Sequence, residues 1–83
     1  MKIMINRIRP IENTYQVYGM LAAYDFLVSW FAKTNNHFQI QTEDDVFLLD
    51  LVGKNHFYTE KEMKKAVQQK FHLHFKNANK GEL

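Results

Sequence analysis

VYGMLAAYDFLVSWF, residues 17–31, is the stretch on which the reading of this chain turns. Val17, Leu21, Tyr24, Val28 and Phe31 recur at alternating steps of four and three, and Met20, Tyr24, Leu27 and Phe31 form a second, overlapping set. That is the period of an amphipathic helix with a broad apolar face, and it predicts one long helix over residues 13–33. Asn13 or Thr14 can cap its start, and Lys33 places a cation at the negative end of its dipole. Gly19, Ala22, Ala23, Ser29 and Ala32 leave little bulk on parts of it, so a neighbouring helix or chain can come close. Glycine inside a helix costs up to about 1 kcal/mol relative to alanine, so Gly19 implies a packing reason.

Toward the N-terminus, Ile3 and Ile5 alternate with polar neighbours and predict a short strand over residues 2–8, closed by Pro10. On the other side Thr34, Asn35 and Asn36 read as a turn. Residues 38–41 alternate apolar and polar, as a short strand does. Thr42 then reads as the cap of a second helix over residues 43–53, with Glu43, Asp44 and Asp45 in its first turn, where the dipole favours acids. Val46, Phe47, Leu48, Leu49, Leu51 and Val52 make it apolar nearly all round, and Gly53 and Asn55 are stop residues.

The third helix has the clearest start signal. Thr59, Glu60, Lys61 and Glu62 match a capping box. Met63, Val67 and Phe71 follow at steps of four, with Lys61, Lys64, Lys65 and Gln68 toward the other side, and the helix is expected over residues 59–70. Phe71, Leu73 and Phe75 then alternate with His72 and His74, which predicts a strand over 71–76. Residues 77–83 are polar and read as a loose tail. The fold expected is therefore α+β and mostly helical: a three-helix core with a long first helix and two or three short strands. Its core would hold Leu21, Tyr24, Leu27, Val28, Phe31, Leu48, Leu49, Val52, Met63, Val67 and Phe71.

Composition bounds what such a chain can do. Eighty-three residues make a single small domain whose core is thin and whose stability is marginal. With no cysteine there is no disulfide and no thiolate metal site. Seven Phe, four Tyr and one Trp must supply the burial, and a dimer would hide what the fold leaves exposed. Residues 1–5 are too short for the apolar part of a secretory signal, and the apolar run 15–32 is short for a membrane span and interrupted by Asp25. The formal charge of +2 is uneven. Residues 1–33 and 53–83 are basic, the latter with seven lysines against three glutamates, whereas 34–52 hold four acids and no base. A composition rich in Lys, Asn, Phe and Ile fits an AT-rich coding source such as a phage or other mobile element.

The order of elements resembles a winged helix-turn-helix. That resemblance makes the helix from Thr59 a recognition helix, with Lys61, Lys64, Lys65 and Gln68 toward a DNA major groove and Arg7 and Arg9 as a backbone arm. The turn over 53–58 is longer than such a motif uses, no arginine follows Arg9, and the tail is too short for a two-stranded wing, so DNA binding is the second reading. The first is a protein–protein surface. The chain has more large apolar residues than three short helices bury, and Tyr15, Tyr18, Trp30, Phe57 and Tyr58 are the candidates for an exposed patch.

Other chemistry has less support. His72 and His74, with His56 or His37, have the spacing of metal ligands only if they share a strand face; exposed strand histidines are the plainer reading. Ser29 is the only serine and lies in the apolar run, and no glycine-rich phosphate loop exists, so no catalytic residue, cofactor or small-molecule substrate is expected. Asp25 and Asp50 sit within apolar runs and are expected at the solvent edge of their helices. The sequence thus predicts a small, non-catalytic, cytoplasmic regulatory or interaction protein, homodimeric, with winged-helix DNA binding as the alternative.

Overall fold

The computed structural model is a four-stranded antiparallel sheet with one long helix on one face, not a three-helix core. It describes residues 1–24, 26–51 and 57–81, the last five as backbone only. The strands β1 (Lys2–Ile11), β2 (Thr14–Ala22), β3 (Leu27–Thr34) and β4 (Val46–Leu49) follow one another as a meander in the order β1-β2-β3-β4, and α1 (Glu60–Gly81) closes the chain.

The helix expected over 13–33 is a hairpin instead. β2 and β3 pair from Tyr15 opposite Thr34 to Ala22 opposite Leu27, and the Ala23 amide donates to the Phe26 carbonyl across the loop between them (3.0 Å). The β-branched and aromatic residues Tyr15, Val17, Tyr18, Val28, Trp30 and Phe31 suit a pleated surface better than a helix interior. Gly19 fits because it is a site of close approach. A Cβ there would collide with the Met4 carbonyl oxygen on β1 and with the Trp30 ring on β3, whose Cε2 would lie 2.7 Å away. The glycine thus provides the floor on which the Trp30 indole rests.

β1 is longer than its expected span of 2–8, and Pro10 lies within it rather than closing it. Pro10 sits opposite Tyr15 on an edge strand, where a missing N–H is tolerated. The register slips between Ile5 and Arg7, so Asn6 forms a bulge. Ile3 and Ile5 before it and Ile8 after it consequently all face the helix side, although 5 to 8 is an odd step. The bulge, the proline and three cations also guard this edge against pairing with another strand.

The expected helix over 43–53 begins as its cap predicts and then stops. Thr42 Oγ1 accepts from the Asp44 amide (3.2 Å), and the Asp45 carboxylate accepts from the Thr42 amide (3.3 Å). Only one turn of 3-10 helix forms, Glu43–Asp45, before Val46 enters β4. Residues 38–41 are not a strand. They belong to a loop organised by Asn35, whose Oδ1 accepts from the amides of His37 (2.9 Å) and Gln39 (3.0 Å). Phe38 there has φ 58°, rare for an aromatic residue. Its ring is sandwiched between Tyr15 (centroids 3.9 Å apart) and Phe75 (4.7 Å).

The capping box at Thr59 is present. Glu62 donates its amide to Thr59 Oγ1 (3.1 Å), and the Thr59 amide donates to Glu62 Oε2 (2.9 Å). α1 then continues past Lys70 to Gly81, so the strand expected over 71–76 is helix, and 77–81, read from the sequence as tail, extend it. Met63, Val67 and Phe71 pack against Ile3, Val17, Leu21, Trp30, Ala32, Val46 and Ile40. Of the expected core, Leu21, Val28, Met63, Val67 and Phe71 are buried and Leu48 packs against the cluster. Leu27, Leu49 and Tyr24 are exposed, Tyr24 almost wholly, Phe31 lies half-buried on the other face, and Val52 is outside the described residues. Among the described residues no helix is long and apolar enough to cross a membrane.

Candidate functional site

Residues directly opposite each other in an antiparallel sheet point to the same side, so the register sorts every strand residue by face. One face is the core. Ile3, Leu21 and Val28 form one of its rows, Ile5, Gly19, Trp30 and Leu48 the next, and Ile8, Val17, Ala32 and Val46 a third. The other face carries no packed helix among the described residues. Its rows are Lys2, Ala22 and Leu27; Met4, Met20, Ser29 and Leu49; Arg7, Tyr18, Phe31 and Phe47; and Arg9, Gln16 and Lys33.

The third row is the distinctive one: an arginine and three aromatic rings, one from each strand in order. Phe31 and Phe47 stack with centroids 4.6 Å apart and planes 13° from parallel, and Tyr18 and Phe31 lie 5.8 Å apart at 28°. Rings this close and this parallel stand side by side and direct their edges outward. Lys33 Nζ reaches back over the Phe47 ring, 5.3 Å from its centroid, in a cation–π contact. The Tyr18 hydroxyl donates to Gln16 Oε1 (2.8 Å) and so points toward the row of cations. Ser29 Oγ donates to Met20 Sδ (3.2 Å), a weak bond that ties the neighbouring row.

The four residues proposed for a recognition helix all lie on α1, but two of them are engaged within the fold. Lys64 is half-buried and pairs with Glu60 (3.4 Å), and Gln68 Nε2 turns inward to the Ile40 carbonyl (3.4 Å). Lys61 and Lys65 remain exposed on α1. Since α1 is the only α-helix among the described residues and packs along a sheet, the winged-helix arrangement is overturned with the three-helix core. Arg7 and Arg9, proposed as an arm, are instead part of the open face of β1.

The aromatic patch proposed from sequence is also divided. Tyr18 lies on the open face, whereas Trp30 is 1% exposed in the core, and its Nε1–H has no partner among the described residues. Tyr15 stacks on Phe38, Tyr58 packs against the core, and Phe57 is 78% exposed before α1. Periodicity assigns Phe31 and Phe47 to helix interiors. Their membership of a surface row follows only from strand register.

His72 and His74 lie on α1, where residues two apart point in different directions. His72 Nε2 lies 3.2 Å from the Ile40 carbonyl oxygen, and His74 sits edge-on to Phe75. His37 and His72 line a shallow cleft of about 500 Å³ with Phe38, Ile40 and Phe75. Among the described residues no group of His, Asp or Glu side chains is placed to hold a metal ion. Asp50 is exposed just after β4, at φ 60°; Asp25 and His56 lie outside the described residues. Comparison with protein-family models, with curated proteins and with solved structures finds no match to this chain.

Proposed function

We propose that the chain is a small non-catalytic interaction protein whose working surface is the uncovered face of its sheet. The observation that carries this reading is the row Arg7, Tyr18, Phe31 and Phe47, which crosses all four strands opposite the helix-covered face. Half-buried aromatics and methionines flanked by exposed cations match the composition of binding surfaces, where Tyr, Phe, Met and Arg are enriched. The core face is complete without them, because α1 seats Met63, Val67 and Phe71 on the other side. Rigid strands also hold the side chains of the row in fixed relation, which lowers the ordering cost of binding.

Site-directed photo-cross-linking tests the assignment. Benzoylphenylalanine in place of Phe31 should yield cross-linked partners in cells that make the chain. The same group in place of Leu73, exposed on α1, should not. Partners captured only from Leu73 would place the working surface on the helix instead.

A further inference from the structure

With the open face taken as the working surface, on the reading proposed above, its chemistry narrows the partner. The four strands contain Lys2, Arg7, Arg9 and Lys33 and neither aspartate nor glutamate. Register places all four cations on the uncovered side, none on the core side. None of them forms an ion pair with another described residue; the pair at Lys64 and Glu60 is on α1. The described acids lie outside the strands: Glu12 in the turn after β1, Glu43, Asp44 and Asp45 before β4, Asp50 just after it, and Glu60 and Glu62 on α1. The result is a surface of one sign with an aromatic row through its middle. We infer that this face binds single-stranded nucleic acid, with Arg7, Arg9 and Lys33 meeting phosphates and the row of Tyr18, Phe31 and Phe47 meeting bases.

Charge selects a polyanion, and the rings select one with flat apolar groups. Open sheet faces with aromatic side chains on adjacent strands accept about two or three unstacked bases. Here the rings already stack on one another, so they offer their edges. Ring edges are electropositive and base faces electronegative, and edge-to-face packing between them is favourable. The row with Arg9 and Lys33 lies roughly 7 Å along the strands from the ring row, so a strand whose bases cross the rings carries its phosphates over the cations. A duplex keeps its base faces stacked inside and has nothing flat to offer. A second copy of this chain would bring the four cations of each copy into one interface without a carboxylate, and like charges so placed oppose association.

Fluorescence anisotropy tests this on the full chain. The probes are a labelled mixed-sequence single strand of about 12 nucleotides, as DNA and as RNA, its duplex, and poly-glutamate as competitor. The single strand should bind at least about tenfold more tightly than the duplex, and lose about ten- to fiftyfold in affinity between roughly 50 and 200 mM salt. Tyr18→Leu with Phe31→Leu should weaken single-strand binding by about tenfold or more, each ring being one edge-to-face contact for a base. Lys61→Gln with Lys65→Gln on α1 should leave it within about threefold.

Should the ring variant unfold, Arg7→Gln with Arg9→Gln carries the test through a shallower salt dependence, and an unchanged slope overturns the inference. Duplex binding as tight as single-strand binding, or an unaffected ring variant that remains folded, also overturns it. So does poly-glutamate displacing the oligonucleotide as well as unlabelled oligonucleotide does, which would indicate an acidic polypeptide. If no oligonucleotide binds while benzoylphenylalanine in place of Phe31 still captures a protein or a second copy, the nucleic-acid assignment fails and the open-face reading stands. If neither happens, both fail.

Discussion

Gly19 shows how much one atom decides in this sheet. It is buried between Met4 and Trp30, and the nearest obstacles to a Cβ are a backbone oxygen and an indole ring, neither of which can yield cheaply. Gly19→Ala should therefore destabilise the chain by about 1–3 kcal/mol, the range for overpacking, against the usual gain when a strand glycine becomes alanine. Urea unfolding followed by Trp30 fluorescence measures it directly; an unchanged midpoint would mean that Trp30 does not lie over this residue. Phe38 presents the opposite problem, a large side chain at φ 58°. The rings of Tyr15 and Phe75 on either side hold it there. Removing the ring costs both stacks in Phe38→Ala and in Phe38→Gly alike, but only glycine also relieves the backbone. Phe38→Gly should thus be the more stable of the two by about 0.5–1 kcal/mol, and the reverse order in thermal melts would show that the left-handed conformation carries no strain. Nothing in the sequence marks this site, because the residue types that announce positive φ, Gly and Asn, are absent from position 38.

At the scale of elements, the capping box at Thr59 is the sequence signal that transfers most directly. Thr59→Ala removes the acceptor for the Glu62 amide and should cost about 1 kcal/mol, read as a lower midpoint with an unchanged denaturant slope. No loss would mean the first turn is frayed. The start of α1 was legible because a cap is a local rule satisfied by four adjacent residues. Its length was not: the step of four through Met63, Val67, Phe71 and Phe75 carries the helix past residue 70, but the alternation of Phe71, Leu73 and Phe75 with two histidines reads as a strand. The hairpin of β2 and β3 was hidden for a different reason. Both of its faces are apolar, Val17 and Leu21 inward and Tyr18 and Met20 outward, so no alternation shows. The loop between the strands then moves the core phase from odd to even positions, to Val28 and Trp30, which mimics steps of three and four. The face that hid the strands is the candidate site itself. Phe31 and Phe47 could not be placed in one row before the register was known, although Arg7 and Arg9 were already candidates for anion contact from sequence.

At the scale of the whole molecule, the sheet has one face that must be covered and one that is left open among the described residues, and α1 covers the first with Ile40 of the loop after β3. Met63, Val67 and Phe71 have no exposed surface. At about 1.5–3 kcal/mol for each side chain fully buried, they contribute roughly 5–9 kcal/mol before the ordering of the helix is counted. The total stability expected of a chain of 83 residues is only about 4–12 kcal/mol. Hairpins and small sheets also need an apolar face packed against something to persist in water. A fragment of residues 1–58 should therefore lack a cooperative urea transition, although β1 to β4 are all within it. Far-UV circular dichroism and Trp30 fluorescence on that fragment decide the matter. A sigmoidal transition with a buried-tryptophan spectrum would show that the sheet supports itself and that α1 is an addition to it. The full chain with Tyr18→Leu and Phe31→Leu should by contrast keep its cooperative transition, because those rings lie on the side that α1 does not need. Together the two results would separate the face that folds this protein from the face that is free to bind.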